Sequence, residues 1–360
     1  MSSVYIHIPF CKSICSYCDF TKILYKEDQI RPYFNSLSLE IDDAYGKEEI
    51  NTLYIGGGTP SSLSSDGLDA LIAIIKKFNL ADNVEFTFEC NIEDICAELL
   101  EKLKEAGVNR LSIGIESFNA DKLKFMNRKA SFKDVEAKIS LARIHGFNNI
   151  NLDLMYGIPN ETYKDLKKDL KYFLKLNPEH ISTYSLIIEN HTICKAREDE
   201  NIEPETEVKM YEYIRKKLKK KGFIHYEISN FARPGYESKH NLVYWNNEEY
   251  YGFGLGASGY INGFRYENTH SMTEYIAGNY KKEESLISKS ETMENEVMLG
   301  LRKIKGINLQ NFFDKYGINL QEAFPVKPLL KSKELIYKDG YIKINPKYIY
   351  VMNEILLKLI

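Results

Sequence analysis

Residues 4–20 read VYIHIPFCKSICSYCDF. A short apolar run, Val4–Ile8, has the alternation of a β-strand and leads straight into three cysteines at 11, 15 and 18. The spacing is C-x-x-x-C-x-x-C. A structural zinc site takes four ligands, and no second Cys or His pair follows this loop. His7 is close by but alternates within the strand. Three thiolates in one short loop with no fourth suit a metal cluster with an open corner. A [4Fe–4S] cube held by three cysteines leaves one iron for an exogenous ligand. A zinc site or a structural coincidence remain as alternatives on spacing alone. The other cysteines, at 90, 96 and 194, are scattered, and Cys90 and Cys96 read as small buried hydrophobes. This is not the even stapling of a secreted disulfide framework.

Outward from the loop, short β-rich runs alternate with helical patterns. Further strands are expected at Thr52–Ile55, Val84–Glu89, Arg110–Ile115, Asn149–Leu154 and His180–Leu186. Each is followed by apolar positions at helical spacing. The clearest helix is Asp66–Phe78, after a Ser64–Ser65 start. Ile92–Ala106, Phe132–His145 and Thr206–Lys221 close on Gly107, Gly146 and Gly222, and Tyr163–Leu176 completes the set. Six strand–helix units imply an α/β fold with a parallel sheet and outer helices. The strands are expected to be apolar on both faces, as a covered parallel sheet requires. A closed barrel needs eight units, and the sequence past Gly222 does not supply two more. The expectation is an incomplete, TIM-like (β/α)6 barrel over 1–222, an extension over 223–284, and a small α+β, winged-helix-like appendage over 285–360. In such folds the active site lies at the C-terminal ends of the strands.

The remaining composition narrows the function class. The 360 residues carry 48 Lys and Arg against 51 Asp and Glu, a net charge of −3. A near-neutral chain has no global field for a polyanion, so no nucleic-acid partner is expected. The longest apolar run, Ala70–Ile75, is far short of the ~20 residues of a membrane span. No leader pattern is read at the start, so a cytoplasmic location is expected. Tyr is counted 26 times and Trp once, which a Lys-, Ile- and Tyr-rich coding bias explains as readily as a ring-lined site. The basic run Arg215–Lys221 reads as a solvated helix end.

The other motifs fall at strand ends. Ile55-Gly-Gly-Gly-Thr-Pro60 ends the second strand, where glycines let backbone approach a ligand or make a tight turn. Glu89 ends the third strand, and Glu116 the fourth, with Arg128 in the following FMNRKA. Asp153 lies near the end of the fifth.

Taken together, the loop and these motifs resemble the radical S-adenosylmethionine (SAM) superfamily, whose signature is this cysteine loop after the first strand. The resemblance runs through residue 260 and more weakly to the end. It is closest to the branch of oxygen-independent coproporphyrinogen III oxidases and their heme-chaperone relatives. It implies a [4Fe–4S] cluster on Cys11, Cys15 and Cys18, whose free iron is chelated by the amino and carboxylate groups of SAM. It also implies SAM contacts from Gly57, Gly58, Thr59, Glu89, Glu116, Arg128 and Asp153. Ser185 to Ile187 would lie along the adenine, and Tyr5 and Tyr17 match two further ligand-facing positions. This chain departs at Glu116, where the family has Gln; an acid loses two donors and gains a charge that Arg128 could pair. On this reading Gly58→Val blocks SAM and spares the cluster.

Three features separate chaperone from oxidase. The oxidase continues its loop with a further cysteine, where this chain has Phe20. The oxidase's N-terminal arm has no counterpart ahead of Cys11. His240-Asn-Leu-Val-Tyr-Trp245 resembles the HNxxYW signature of the chaperone branch. His240 is either a hydrogen-bonded structural histidine or an axial ligand to heme iron. The resemblance therefore implies a chaperone that binds heme and passes it to an acceptor hemoprotein, respiratory and membrane-associated in one version. Its alternative is coproporphyrinogen III oxidation or another radical SAM oxidoreduction in porphyrin metabolism.

Overall fold

The computed structural model describes residues 2–360. Six parallel strands form its centre: β1 (Ser2–Ile8), β2 (Glu49–Gly57), β3 (Asn79–Asn91), β4 (Arg110–Glu116), β5 (Ile150–Tyr156) and β6 (His180–Ser185). They pair in sequence order, each with the next. Helices Ser65–Ile75, Ala97–Glu105, Phe132–Ile144 and Tyr163–Lys175 supply crossovers, so the expected βα units are present. Ser64 caps its helix by accepting the Gly67 N–H at 3.2 Å, and Thr162 with Asp165 forms a capping box.

The helix after β1, Glu27–Ala44, has no named counterpart in the sequence reading. Its buried residues Ile30, Tyr33, Phe34, Leu37 and Ile41 keep helical spacing. Pro32 lies in its second turn, removing one backbone donor and obscuring the pattern.

The strands are not apolar on both faces, which corrects the expectation above. Along β3, Phe86 and Phe88 pack outward into the core at 0% exposure, while Thr87 and Glu89 alternate with them. Likewise Leu111 and Ile113 face the helices while Arg110, Ser112 and Gly114 line a cavity. On β5, Leu152 and Leu154 alternate with Asn151 and Asp153 in the same way. The sheet thus has an apolar, helix-covered outside and a polar inside. Burial of each outward phenylalanine contributes on the order of 2 kcal/mol.

Later strands extend both edges. Tyr251–Phe253 pairs parallel with β1, and Asn230–Ala232 pairs antiparallel with β6, followed outward by Ile224–His225. The two edges do not meet, so the barrel stays open. Strands Ser258–Ile261, Phe264–Asn268 and Lys281–Leu286 form a separate antiparallel sheet beside it. The last part has the helices Lys289–Gly300, Leu309–Tyr316 and Val326–Lys331. They pack on a three-stranded sheet of Ile307–Asn308, Tyr341–Ile344 and Leu335–Lys338. The Asp339-Gly340 turn of its hairpin has φ of 51° and 81°, as a type I′ turn demands. Ile304 N–H donates to Tyr226 C=O at 3.0 Å, tying this part to the barrel. Among the described residues, no helix is long and apolar enough to cross a membrane.

Candidate functional site

The cysteine loop leaves β1 through Phe10–Cys11, which pairs with Ile23–Leu24. It is held from both sides. Ser16 N–H donates to Met126 C=O at 3.1 Å, and Cys194 N–H donates to Ser16 C=O at 3.0 Å. Asn127 Nδ2 donates to Ile14 C=O at 3.0 Å. Cys11, Cys15 and Cys18 all line one cavity of about 440 Å³ at the strand ends. Thr59 Oγ1 lies 3.6 Å from Cys11 Sγ, and Arg128 Nη1 lies 3.7 Å from Cys15 Sγ. Burial pushes the Cys11 thiol up, and the Cys18 thiol to about 11. Charged sulfur here therefore calls for a cationic partner. Among the described residues no three His, Cys, Asp or Glu side chains enclose a single metal ion. Three thiols on one cavity wall, two of them met by donors, instead fit a polynuclear cluster with one open corner.

The glycine loop lies against this loop. Gly58 N–H donates to Ile8 C=O and Thr59 N–H to Phe10 C=O, both at 2.8 Å. A Cβ on Gly58 would sit 2.7 Å from the Pro9 carbonyl carbon. On Gly57, with φ of +113°, it would sit 2.6 Å from the His7 ring. The glycines are therefore required by the strand leading to the cysteines. This overturns the expectation that Gly58→Val would act on SAM alone.

The candidate SAM residues Tyr17, Gly57, Gly58, Thr59, Glu89, Glu116, Arg128, Asp153 and Ile187 all line the same cavity. Glu89 accepts Tyr54 Oη at 2.7 Å and Gly57 N–H at 3.0 Å. Burial pushes it to about 7. Glu116 sits at a strand bulge with φ of +68°. It accepts Tyr17 Oη at 3.0 Å and pairs with Arg128 at 3.7 Å. Arg128 also donates to Asn91 Oδ1 at 2.8 Å and to Gly114 C=O. Burial likewise pushes Glu116 to about 7, with Arg128 opposing. Asp153 is raised by burial, with Ser182 and Asn151 bonding to it in opposition.

A raised carboxyl favours the folded state below its unfolded pKa, and that contribution is lost as pH rises toward 7. Glu116→Gln removes this loss. The stability of the variant minus that of the parent is expected to rise between pH 4.5 and 7, by up to about 3 kcal/mol, and then to hold level. Denaturant melts of the iron-free protein across that range check it; a pH-independent difference would contradict it.

Sequence reasoning missed Tyr54, Asn91, Arg110, Tyr184 and Asn241, which line the cavity too. For the first four the signal is the period-two alternation of polar residues along each strand; Asn241 lies on the helix Lys239–Trp245 and has no such signal. Cys90 is buried as expected, yet it also lines this cavity; Cys96 is exposed, which corrects its reading as a buried hydrophobe.

Tyr5 and His240 are not in this cavity. They line a second one, of about 460 Å³, which shares Asp19, Phe20, Tyr54, Glu89 and Asn241 with the first. Its wall is a run of rings. Successive centroids of Tyr5, Tyr54, His240, Tyr244 and Tyr250 are 6.0, 5.1, 5.0 and 4.6 Å apart. His240 is 1% exposed, with Nδ1 2.8 Å from Thr52 Oγ1 and Nε2 2.7 Å from Tyr244 Oη. Burial lowers it to about 3, so the ring is neutral. Iron could meet a His240 nitrogen only by displacing one of these partners. His7 is likewise buried, bonded to Tyr5 Oη and Thr21 C=O. His270 differs: its side chain is 47% exposed and Nε2 is paired with Glu267. Phe20 stands 65% exposed where the two cavities join. Trp245 lines neither.

Comparison with known proteins agrees with this geometry. A family model described as the radical SAM superfamily matches residues 5–173, and one described as the HemN C-terminal domain matches 287–351. The chain is 42% identical over 352 residues to the heme chaperone HemW of Bacillus subtilis (strain 168), covering 94% of this chain and 93% of that one. It is 40% identical over 348 residues to the heme chaperone HemW of Lactococcus lactis subsp. lactis (strain IL1403), covering 94% and 91%. Against the heme chaperone HemW of Escherichia coli (strain K12) it is 36% identical over 265 residues, covering 72% and 70%. Among solved structures, the coproporphyrinogen III oxidase HemN of Escherichia coli matches with a TM-score of 0.87 at 21% identity, covering 99% of this chain and 89% of that one. That likeness shows a shared fold.

Proposed function

The chain belongs to the HemW family of radical SAM proteins, and from this premise we propose that it binds heme beside a [4Fe–4S] cluster and SAM and delivers the heme to an acceptor hemoprotein. The observation that carries the reading is the second cavity, whose wall is five rings long and which shares Phe20, Tyr54 and Glu89 with the cysteine-lined cavity. Flat apolar faces at such spacings suit a macrocycle. Cys11, Cys15 and Cys18 would hold the cluster; Thr59 and Arg128 would donate to its sulfurs. The cluster, when bound, supplies an iron corner with an open coordination position. Glu89, Glu116 and Asp153 give the first cavity the acidic lining that a sulfonium cation favours.

We assign axial ligation of heme iron to His270: its two nitrogens are partnered as those of His240 are, but its side chain is 47% exposed where His240 is buried. Glu267 lies behind its Nε2, the arrangement that orients metal-binding imidazoles, and its Nδ1 is 2.6 Å from an exchangeable hydroxyl, Thr21 Oγ1. The test is hemin titration of the reconstituted protein, read in the Soret band. His270→Ala is expected to shift the band and weaken binding, and His240→Gln to leave it in place. A shift with His240→Gln and none with His270→Ala would reverse the assignment.

A further inference from the structure

The base of the first cavity holds a guanidinium that makes no ion pair; Glu89 and Asp153 feel its charge only at longer range. Arg110 opens β4 and is 2% exposed, yet it lines the cavity. Among the described residues no carboxylate lies within ion-pairing distance, its Nε has no hydrogen bond, and its one bond is a long 3.4 Å contact from Nη1 to Thr87 Oγ1. Every other arginine that lines this cavity is paired: Arg128 meets Glu116, Asn91 and Gly114. A guanidinium buried without a counter-ion costs several kcal/mol, so such a group is retained where a ligand supplies the charge.

Strand register says which ligand. Tyr5 pairs with Tyr54, Tyr54 with Thr87, and Thr87 with Arg110. One layer therefore runs from the ring wall of the second cavity to Arg110 across four adjacent strands. Arg110 is two strands from Tyr54, about 10 Å at the usual strand spacing. That span is within reach of a guanidinium on its stem meeting a short carboxyalkyl arm. The cysteine loop is at the opposite ends of the strands. Glu116, at that level, is six residues along β4 from Arg110, roughly 20 Å of strand. The SAM-affinity measurement below distinguishes a carboxylate held at the cluster from one on the macrocycle. Ser112, Asn151 and Ser182 line the cavity too and are bonded among themselves, and none of them bonds to Arg110.

We propose that Arg110 is the anion subsite for a carboxylate arm of the bound macrocycle, fixing its orientation by a charge-assisted hydrogen bond at the base of the barrel. The inference rests on the heme-binding reading above. It makes recognition of the macrocycle depend on free carboxylates as well as on iron and rings.

Hemin and hemin dimethyl ester, whose carboxylates are capped, are titrated into reconstituted wild-type, Arg110→Gln and Arg110→Lys proteins. SAM affinity and circular-dichroism melts are recorded on each. Arg110→Gln is expected to bind hemin at least about tenfold more weakly than wild type and to leave ester binding unchanged. Wild-type protein should prefer hemin to its ester by a similar factor, and Arg110→Lys should fall between. Unchanged hemin affinity in Arg110→Gln overturns the inference. So does equal weakening for both compounds, which would mark a structural role, or loss of SAM affinity with hemin unaffected. If wild-type protein binds neither compound, the heme-binding reading fails and this inference with it; binding of both with Arg110→Gln indifferent removes the inference alone.

Discussion

Cys15→Ala is expected to leave the protein unable to hold a [4Fe–4S] cluster: after anaerobic reconstitution, iron falls from about four atoms per chain to a small residue and the visible charge-transfer absorption is lost. Only two thiolates would remain for a cube that already has one corner free. No substitute is at hand. Cys90 lines the same cavity, but burial drives its thiol far above the ordinary range, so it does not readily become a thiolate. Cys96 is exposed, and Cys194 joins the loop only through its backbone N–H, which alanine keeps. Cys11→Ala and Cys18→Ala should behave as Cys15→Ala does. Cys90→Ala, Cys96→Ala and Cys194→Ala should retain full iron. A complete cluster in Cys15→Ala would remove the cofactor assignment.

Gly58→Val is expected to lose cluster and SAM together and to lower the melting temperature. The added Cβ would fall 2.7 Å from Pro9 carbonyl carbon and 2.8 Å from Phe10 oxygen, both backbone atoms that cannot turn aside. Relief requires the glycine loop to part from the β1 extension, breaking the 2.8 Å bonds from Gly58 to Ile8 and from Thr59 to Phe10. Overpacking of this kind costs about 1–3 kcal/mol, and the displaced segment is the one that carries Cys11. Iron content, SAM affinity and a thermal melt on one preparation decide it. A variant with normal iron and stability but no SAM binding would mean that the ligand, not the cysteine strand, fills the space above Gly58.

The six-strand order and most crossover helices were legible because each strand is a short β-rich run closed by a capped helix. Gly107, Gly146 and Gly222, each at positive φ, mark three of those helix ends. The helix Glu27–Ala44 went unnamed because Pro32 interrupts its sequence pattern. The polar lining of the barrel is not what a parallel sheet covered on both faces leads one to expect, although the runs at 84–91 and 110–116 alternate strictly. Reading the alternation would have placed Arg110, Ser112 and Asn151 inside. Residues at strand ends, such as Glu89 and Glu116, were legible because topology alone brings strand ends together. That Tyr5 and His240 belong to a different cavity was not legible. It depends on Tyr251–Phe253 returning to the free edge of β1, where Val4 pairs with Tyr251. The same holds for His270, which reaches Thr21 across 249 residues.

The account is tested most directly by offering the reconstituted protein hemin and coproporphyrinogen III together, anaerobically, with SAM and a reductant, and following the Soret band and the porphyrinogen products in one reaction. Heme is expected to bind saturably, to pass to an added apo-hemoprotein, and coproporphyrinogen III to remain unconverted. Accumulation of protoporphyrinogen with no saturable heme binding would contradict it and make the protein an oxidase.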